Sequence, residues 1–255
     1  MPAGGRDFPG CRWTGLCLRW PVHPCCCPRP GSLLPVSDAT AHSAPAPAGP
    51  FFRTPAERAQ LAREKFFARG ERPTGLVSEA VIHSWNRCRA QGHGPGRLPT
   101  LDPVSASSVH AARHRHRALL AAAESELAQL ESSLSGTGCR VLLINPSGVV
   151  IHATSGSNLP EQRTLDAAGR VGVQLAEDRV GTTAPGIVLR TGQAVSVCAG
   201  EHFFDRFGSV HCVASPIFDA DHRLAGVLDV STESQGFGFD MGSLVGLFAT
   251  AIENR

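Results

Sequence analysis

A chain of 255 residues has room for one sizeable folded domain with extensions. Its 42% hydrophobic and 18% charged residues are typical of a protein with a buried core, and a net charge of +2 indicates neither a nucleic-acid surface nor a membrane surface. A phosphate-binding loop of the form GxxxxGK(S/T) is excluded, because the one lysine, Lys65, follows a glutamate rather than a glycine. We therefore expect no ATP hydrolysis by this chain.

The N-terminal segment differs in composition from the rest of the chain. Residues 1–50 are rich in proline, glycine, alanine and cysteine without apolar periodicity, so we predict a disordered low-complexity tail. Arg6, Arg12 and Arg19 argue against a secretory signal, and no segment approaches the roughly 18 to 20 apolar residues of a membrane span. Five of the nine cysteines lie in the first 27 residues and the others are single, which predicts a reducing, cytoplasmic location without a disulfide framework.

Helix signals begin near Thr54. Thr54, Pro55 and Glu57 match an N-cap, a first helical position and the acid of a capping box, and they predict a helix that continues to about Arg69. A second helix is predicted over residues 78–91, with its apolar face around a tryptophan that docks the helix on the domain.

A linker and a long helix follow in residues 92–103 and 105–134. The long helix carries apolar residues three and four positions apart, a spacing typical of a helix–helix seam. The seam consists of Leu120, Ala123, Leu127, Leu130 and Leu134. From these elements we divide the chain into the tail, residues 1–50, a helical segment with its linker, residues 51–104, and a second domain, residues 105–255.

The second domain reads mainly as strands. Two hairpins are predicted, the first over residues 139–154 and the second, richer in valine and leucine, over residues 210–230 with a turn at Asp219–His222. Pro216 has no N–H to donate, so we expect it at a strand end or a bulge. A short helix near residues 160–167 and a C-terminal helix, residues 239–253, complete an α+β architecture in which helices cover an antiparallel sheet.

Several motifs, in this order, resemble one family. They are VIHSWNRCRAQG from Val81, AEDRVGTTAPGIVLRTGQAVSV from Ala176, EHF from Glu201 and HCVASPIFDADHRLAGVLDVS from His211. Together they resemble the GAF sensor domain of bacterial activators of the acetoin- and glycerol-catabolism type, which work with sigma-54 RNA polymerase. The resemblance covers about residues 76–255. Thr183 and Pro185 depart from it, since the family usually has asparagine and isoleucine there.

The resemblance implies a GAF-like fold and a non-enzymatic sensor that binds a small-molecule effector between the sheet and its covering loops. The ligand types of Cys198, Glu201, His202 and His211 would suit a metal, but their spacing matches no local metal signature, so we expect no metal and no cofactor. Contacts with sigma-54 RNA polymerase and DNA would be made by domains absent from this chain. Two other functions remain open, a GAF-type thiol-redox enzyme using Cys198 and Cys212, and a structural dimerisation module with a filled pocket.

The covering loops of such a fold supply candidate ligand-binding residues. These are Glu177, Thr182, Thr183, Cys198, Glu201, His202 and His211. Five of them have a structural alternative: a salt bridge of Glu177 to Arg179 or Arg206, helix capping by Thr182 or Thr183, and closure of the loop by Glu201 and His202. Since neighbouring residues of a strand face opposite sides, only one of His211 and Cys212 can point into the pocket, and packing is the expected role of Cys212.

The same residues indicate the chemistry of an effector. The GTTAPG segment places backbone N–H groups at a helix start, which favours an anion or a carbonyl oxygen, while Glu201 and His202 favour hydroxyl or amine groups. A small polar metabolite, such as a polyol, a hydroxyketone or a hydroxy acid, is therefore expected. The Leu120–Leu134 seam and the C-terminal helix further predict a homodimer through a four-helix arrangement, which Leu127→Asp would break.

Overall fold

The computed structural model describes residues 54–155, 160–233 and 235–255, and these lie in one compact unit. The predicted tail, residues 1–50, lies outside them. The helices in the described residues are α1 (Pro55–Arg63), α2 (Glu79–Ala90), α3 (Ala106–Arg115), α4 (Arg117–Ser133), α5 (Arg163–Ala168), α6 (Glu177–Val180), α7 (Ala184–Thr191) and α8 (Met241–Glu253). The strands are β1 (Arg140–Ile144), β2 (Val150–Ala153), β3 (Val195–Cys198), β4 (Val210–Phe218) and β5 (Leu224–Glu233).

The strands form one antiparallel sheet in the order β2-β1-β5-β4-β3, which confirms the predicted α+β class. Both of its faces are covered. Alternate residues of β5 show the division: Leu228 and Val230 pack toward α4 and α8, whereas Val227, Asp229 and Ser231 face the side of α5 and α7. The sheet is thus buried on both sides, as the apolar hairpin strands predicted.

The N-terminal helices begin as predicted. Thr54 caps α1 in a capping box with Glu57, and a π-helical segment, Glu64–Ala68, continues that helix. Trp85 of α2 is fully buried, and its indole N–H donates to the Glu201 carbonyl oxygen at 2.8 Å. The expected docking of α2 through this tryptophan is therefore confirmed.

The long helix predicted over residues 105–134 is interrupted. α3 ends and α4 begins at His116, whose φ of −102° and ψ of 27° break the helical path. The break allows the two helices to pack on different elements. Arg113 of α3 donates to the Ile151 carbonyl oxygen of β2 at 3.0 Å, while α4 packs on β1 and α8. The prediction of one continuous helix was wrong at this residue.

The predicted seam of α4 packs within the chain. Ala123, Leu127, Leu130 and Leu134 are buried in a cluster that also contains residues of β1, β5 and α8. A charge at Leu127 would therefore disrupt the core, so Leu127→Asp cannot serve as a test of dimerisation.

Pro216 lies inside β4, opposite Val227, rather than at a strand end. It stands beyond the last pair between β3 and β4, Val195–Ala214, and just before an irregularity between Ile217 and Phe218. The missing N–H is tolerated because β3 does not extend along this part of β4. Across the described residues, no helix combines the length and apolar character that crossing a bilayer requires.

Candidate ligand site

A cavity lies between the sheet and the helices α5 and α7. The volume open to the centre of a water molecule is about 20 Å³, which is room for about one water. All of the lining residues are buried. They are Leu142, Leu165, Ala168, Leu175, Thr183, Pro185, Phe207, Val210, Cys212, Asp229 and Ser231. The cavity is thus mainly apolar, with a polar patch on β4 and β5.

Asp229 is the acidic residue of that patch and is fully buried. Its Oδ2 accepts a hydrogen bond from the Ser231 hydroxyl at 2.6 Å, whereas its Oδ1 has no hydrogen-bond partner among the described residues. Burial disfavours the charged form and raises the pKa of this carboxyl to about 7. An unpartnered buried oxygen is costly unless a ligand or a water satisfies it.

Cys212 lies beside Asp229 on the adjacent strand. Its sulfur is 3.5 Å from Nε2 of His202, and burial raises the pKa of the thiol well above its usual range. Burial also raises the pKa of the Cys198 thiol to about 11. Both groups are therefore thiols at neutral pH, and neither has the lowered pKa of a reactive cysteine.

The start of α7 forms one wall of the cavity. Thr183 caps the helix by accepting a hydrogen bond from the Gly186 N–H at 3.1 Å, so Thr183 combines the capping role with a position in the cavity lining. Pro185 has no N–H, and the Gly186 N–H is already taken by the Thr183 cap. Two of the first three positions of α7, Pro185 and Gly186, therefore offer no free N–H to an anion.

Gly181 makes the turn between α6 and α7 possible. Its φ of 68° and ψ of −154° fall in a region reserved for glycine, and a Cβ there would lie 2.9 Å from the Phe204 ring. The next residue, Thr182, is fully buried and points to α2, where its hydroxyl lies 2.7 Å from that of Ser84. Adjacent threonines thus contact α2 and the cavity, respectively.

Glu177 joins the same polar network between α2 and α6. It accepts hydrogen bonds from Nε and Nη2 of Arg87 at 2.6 and 2.8 Å and another from Ser84. Its ion-pair partner is therefore Arg87, rather than Arg179 or Arg206 as expected. The carboxylate contacts α2 and lies outside the cavity lining.

Glu201 and His202 brace their own loop. An oxygen of Glu201 accepts the Cys198 N–H at 2.9 Å, and burial raises the pKa of this carboxyl. His202 is fully buried, with Nδ1 3.0 Å from the Ala199 carbonyl oxygen. Burial lowers the pKa of its imidazole to about 4, so the ring is neutral at pH 7.

His211 pairs with Cys198 across β3 and β4, and neither residue lines the cavity. Of the seven candidate ligand residues, Thr183 is in the lining, whereas Cys212, Asp229 and Ser231 were missed as ligand residues. The signal was present in GVLDVS, where one acid and one serine fall on alternate positions of an apolar strand. In the part of the chain that the structure describes, no group of three His, Cys, Asp or Glu residues is arranged to hold a metal.

Comparison with known proteins gives consistent matches. A family model described as the MimR N-terminal domain matches residues 54–239. The acetoin catabolism regulatory protein of Cupriavidus necator is 29% identical over 71% of this chain and 29% of that protein. The propane 2-monooxygenase operon transcriptional activator MimR of Mycolicibacterium goodii is 30% identical over 68% of this chain, again covering 29% of the relative. The chain thus spans less than a third of the length of these relatives.

A solved structure supports the fold. The DhaR(N) part of the Escherichia coli DhaR(N)–DhaL complex is similar with a TM-score of 0.64, at 20% identity over 69% of this chain and 60% of that chain. At this identity the likeness concerns the fold alone. The two relatives are named as a regulatory protein and a transcriptional activator, and neither name describes an enzyme.

Proposed function

We propose that this chain senses a small-molecule effector for a transcriptional activator. The chain belongs to the family of the MimR N-terminal domain. The observation that carries the proposal is the cavity beneath α7, with its unpartnered Asp229 oxygen. Acetoin and propane, the compounds in the names of the two relatives, are small and uncharged. The cavity has room for about one water, so an effector of that kind enters it only if the start of α7 moves outward.

The route from the cavity to the rest of the protein starts at two adjacent threonines. An effector that contacts Thr183 shifts the start of α7, and Thr182 passes the shift to Ser84 of α2. The segment of residues 51–104 then serves as an output element for the domain of residues 105–255. In this proposal, contacts with sigma-54 RNA polymerase and DNA are made by other domains of a cytoplasmic regulator.

A structural module with a filled pocket is the second candidate function, because the cavity has room for about one water. The thiol-redox alternative is not favoured, because burial raises the pKa of both Cys198 and Cys212 and so removes the thiolate that such chemistry needs.

A thermal-shift screen with acetoin, acetone and propan-2-ol tests effector binding. A ligand that binds the native state at about a hundred times its dissociation constant stabilises it by about 2.7 kcal/mol. We expect at least one compound to raise the melting temperature of the parent. Ala168→Leu, which fills the cavity, should abolish the shift relative to its own ligand-free state.

Ala128→Leu is the matched control, since Ala128 is exposed on α4, and it should keep the parent response. If Ala168→Leu responds like the parent, the bound compound does not occupy the cavity. If no compound shifts the parent, the structural-module function is favoured.

We also propose a homodimer that uses the outer face of α8. Leu247 of this helix is 70% exposed and lies in a shallow groove with Gly246, Thr250 and Ala251, so a partner helix can approach closely. Leu247→Asp should weaken dimerisation at least about tenfold, measured as mass against concentration by analytical ultracentrifugation.

Leu98→Asp is the control for that experiment, because Leu98 is 72% exposed and distant in sequence from α8. This control should leave the mass unchanged. A parent that is monomeric at all concentrations, or a Leu247→Asp variant that dimerises like the parent, would contradict the proposal.

A further inference from the structure

One acceptor and one donor among the residues that line the cavity have no partner in the described part of the chain. The acceptor is Oδ1 of Asp229, a fully buried residue of β5. The donor is the hydroxyl of Thr183 at the start of α7. Its oxygen accepts the Gly186 N–H at 3.1 Å, but its own proton has no acceptor among the described residues. Buried polar groups left in this state are costly.

The other polar side chains of the lining are already engaged. The Ser231 hydroxyl donates to Oδ2 of Asp229 at 2.6 Å, and the Cys212 sulfur lies 3.5 Å from Nε2 of His202. The remaining lining residues are leucine, alanine, valine, proline and phenylalanine. Since Oδ1 of Asp229 is unpartnered, Thr183 does not bond to it directly. The space between them has room for about one water, because about 20 Å³ is open to the centre of a water molecule.

We propose that one water is a fixed part of this cavity, where it accepts the Thr183 hydroxyl proton, donates to Oδ1 of Asp229 and thereby joins β5 to the start of α7. Buried waters make about two to four hydrogen bonds to polar groups that would otherwise be unsatisfied. A water that bridges two protein groups is nearly as favourable in enthalpy as a direct hydrogen bond. This water bridge therefore satisfies both groups without any movement of the chain.

The water bridge lies where the proposed sensing function requires movement, and its regulatory role rests on that function. An effector enters the cavity only if the start of α7 moves outward, and this movement separates Thr183 from Asp229. The water bridge therefore holds the start of α7 in the position that the structure shows, and an effector has to break it.

Magnetic relaxation dispersion of water oxygen counts the long-lived waters inside the full chain in solution, so it tests the site directly. At pH 8, Asp229→Leu should hold one long-lived water fewer than the parent. Leucine has the branching of aspartate, but its methyl groups fill the space of the water and offer it no hydrogen bond. Asp221→Leu is the matched control, because Asp221 is exposed between β4 and β5, and it should hold as many waters as the parent.

A double-mutant cycle of Thr183→Val and Asp229→Leu tests the connection between the two residues. Thr183→Val removes the helix cap as well as the water contact, but the loss of the cap occurs in both backgrounds and cancels. In urea unfolding at pH 8, Thr183→Val should lower the folding equilibrium constant at least about fivefold more in the parent than in Asp229→Leu. Thr183→Ser keeps the hydroxyl, so its effect should be the same in both backgrounds.

Two results would overturn the inference. They are an equal number of long-lived waters in the parent and in Asp229→Leu, and a Thr183→Val effect that is the same in both backgrounds. In either case, a screen hit that Ala168→Leu abolishes would leave the sensing function standing. A parent that holds the water but responds to no compound would support the water bridge and contradict its regulatory role.

Discussion

Replacing Arg87 by methionine is expected to lower the free energy of unfolding by about 3 kcal/mol. The methionine keeps much of the packing of the side chain but removes the partner of Glu177, which is 9% exposed. A carboxylate left buried without its cation destabilises a protein far more than the loss of an exposed ion pair does. Urea unfolding of parent and variant at pH 7.5 would measure the difference.

The chain offers a matched control for that substitution. Arg72 and Glu79 form another ion pair near α2, but their side chains are 50% and 55% exposed, so Arg72→Met should change stability by less than about 1 kcal/mol. Glu177→Gln added to Arg87→Met should recover part of the loss, because a neutral amide is less costly to bury. Equal effects of Arg87→Met and Arg72→Met would mean that the Glu177 network adds no stability.

The elements could be predicted where local chemistry determines them. Thr54 and Glu57 form a capping box. Asp219 stabilises the turn between β4 and β5 by accepting hydrogen bonds from the N–H groups of Asp221 and Arg223. The break at His116 has no such local signal. The break arises because α3 contacts β2 whereas α4 packs on β1 and α8. These contacts exist only once the sheet has formed.

Periodicity also does not show which surface the apolar face of a helix packs against. A seam such as that of α4 has the same spacing whether it meets another chain or its own sheet. Here Leu127 and Leu130 are buried in a cluster with residues of β1, β5 and α8. The site could be predicted only in part, because the sequence does not show which partners its charged residues have. The loop residues Glu177 and Glu201 attracted attention as charged groups, whereas the structure gives both of them partners from the chain itself.

Contacts between side chains that are distant in the sequence could not be predicted from the sequence alone. Arg87 and Glu177 lie 90 positions apart, so the sequence offered Arg179 and Arg206 as nearer partners for this acid. Asp229 was overlooked because an acid between two core residues of a strand reads as part of an apolar run. Its burial and its open oxygen appear only when α5 and α7 cover the sheet.

The buried Asp229 carboxyl makes the stability of the chain depend on pH. The pKa of Asp229 is about 7 in the folded chain, against an ordinary value of 3.8. Between these values the native state holds a proton that the unfolded state has released, so its contribution to stability falls as pH rises. A shift of one pKa unit corresponds to about 1.4 kcal/mol. From pH 5 to pH 8, the free energy of unfolding of Asp229→Asn should therefore rise by about 2 to 3 kcal/mol relative to that of the parent.

His202 acts in the opposite direction, because a pKa of about 4 in the folded chain makes stability fall as pH drops below the ordinary value of 6.5. Both proteins retain His202, so its contribution cancels when the variant is compared with the parent at each pH. Urea unfolding at pH 5 and pH 8 measures this difference, and Asp219→Asn should show little change between the two. A constant difference between Asp229→Asn and the parent would mean that the carboxyl is already ionised at pH 5, with a cation or a donor that satisfies Oδ1.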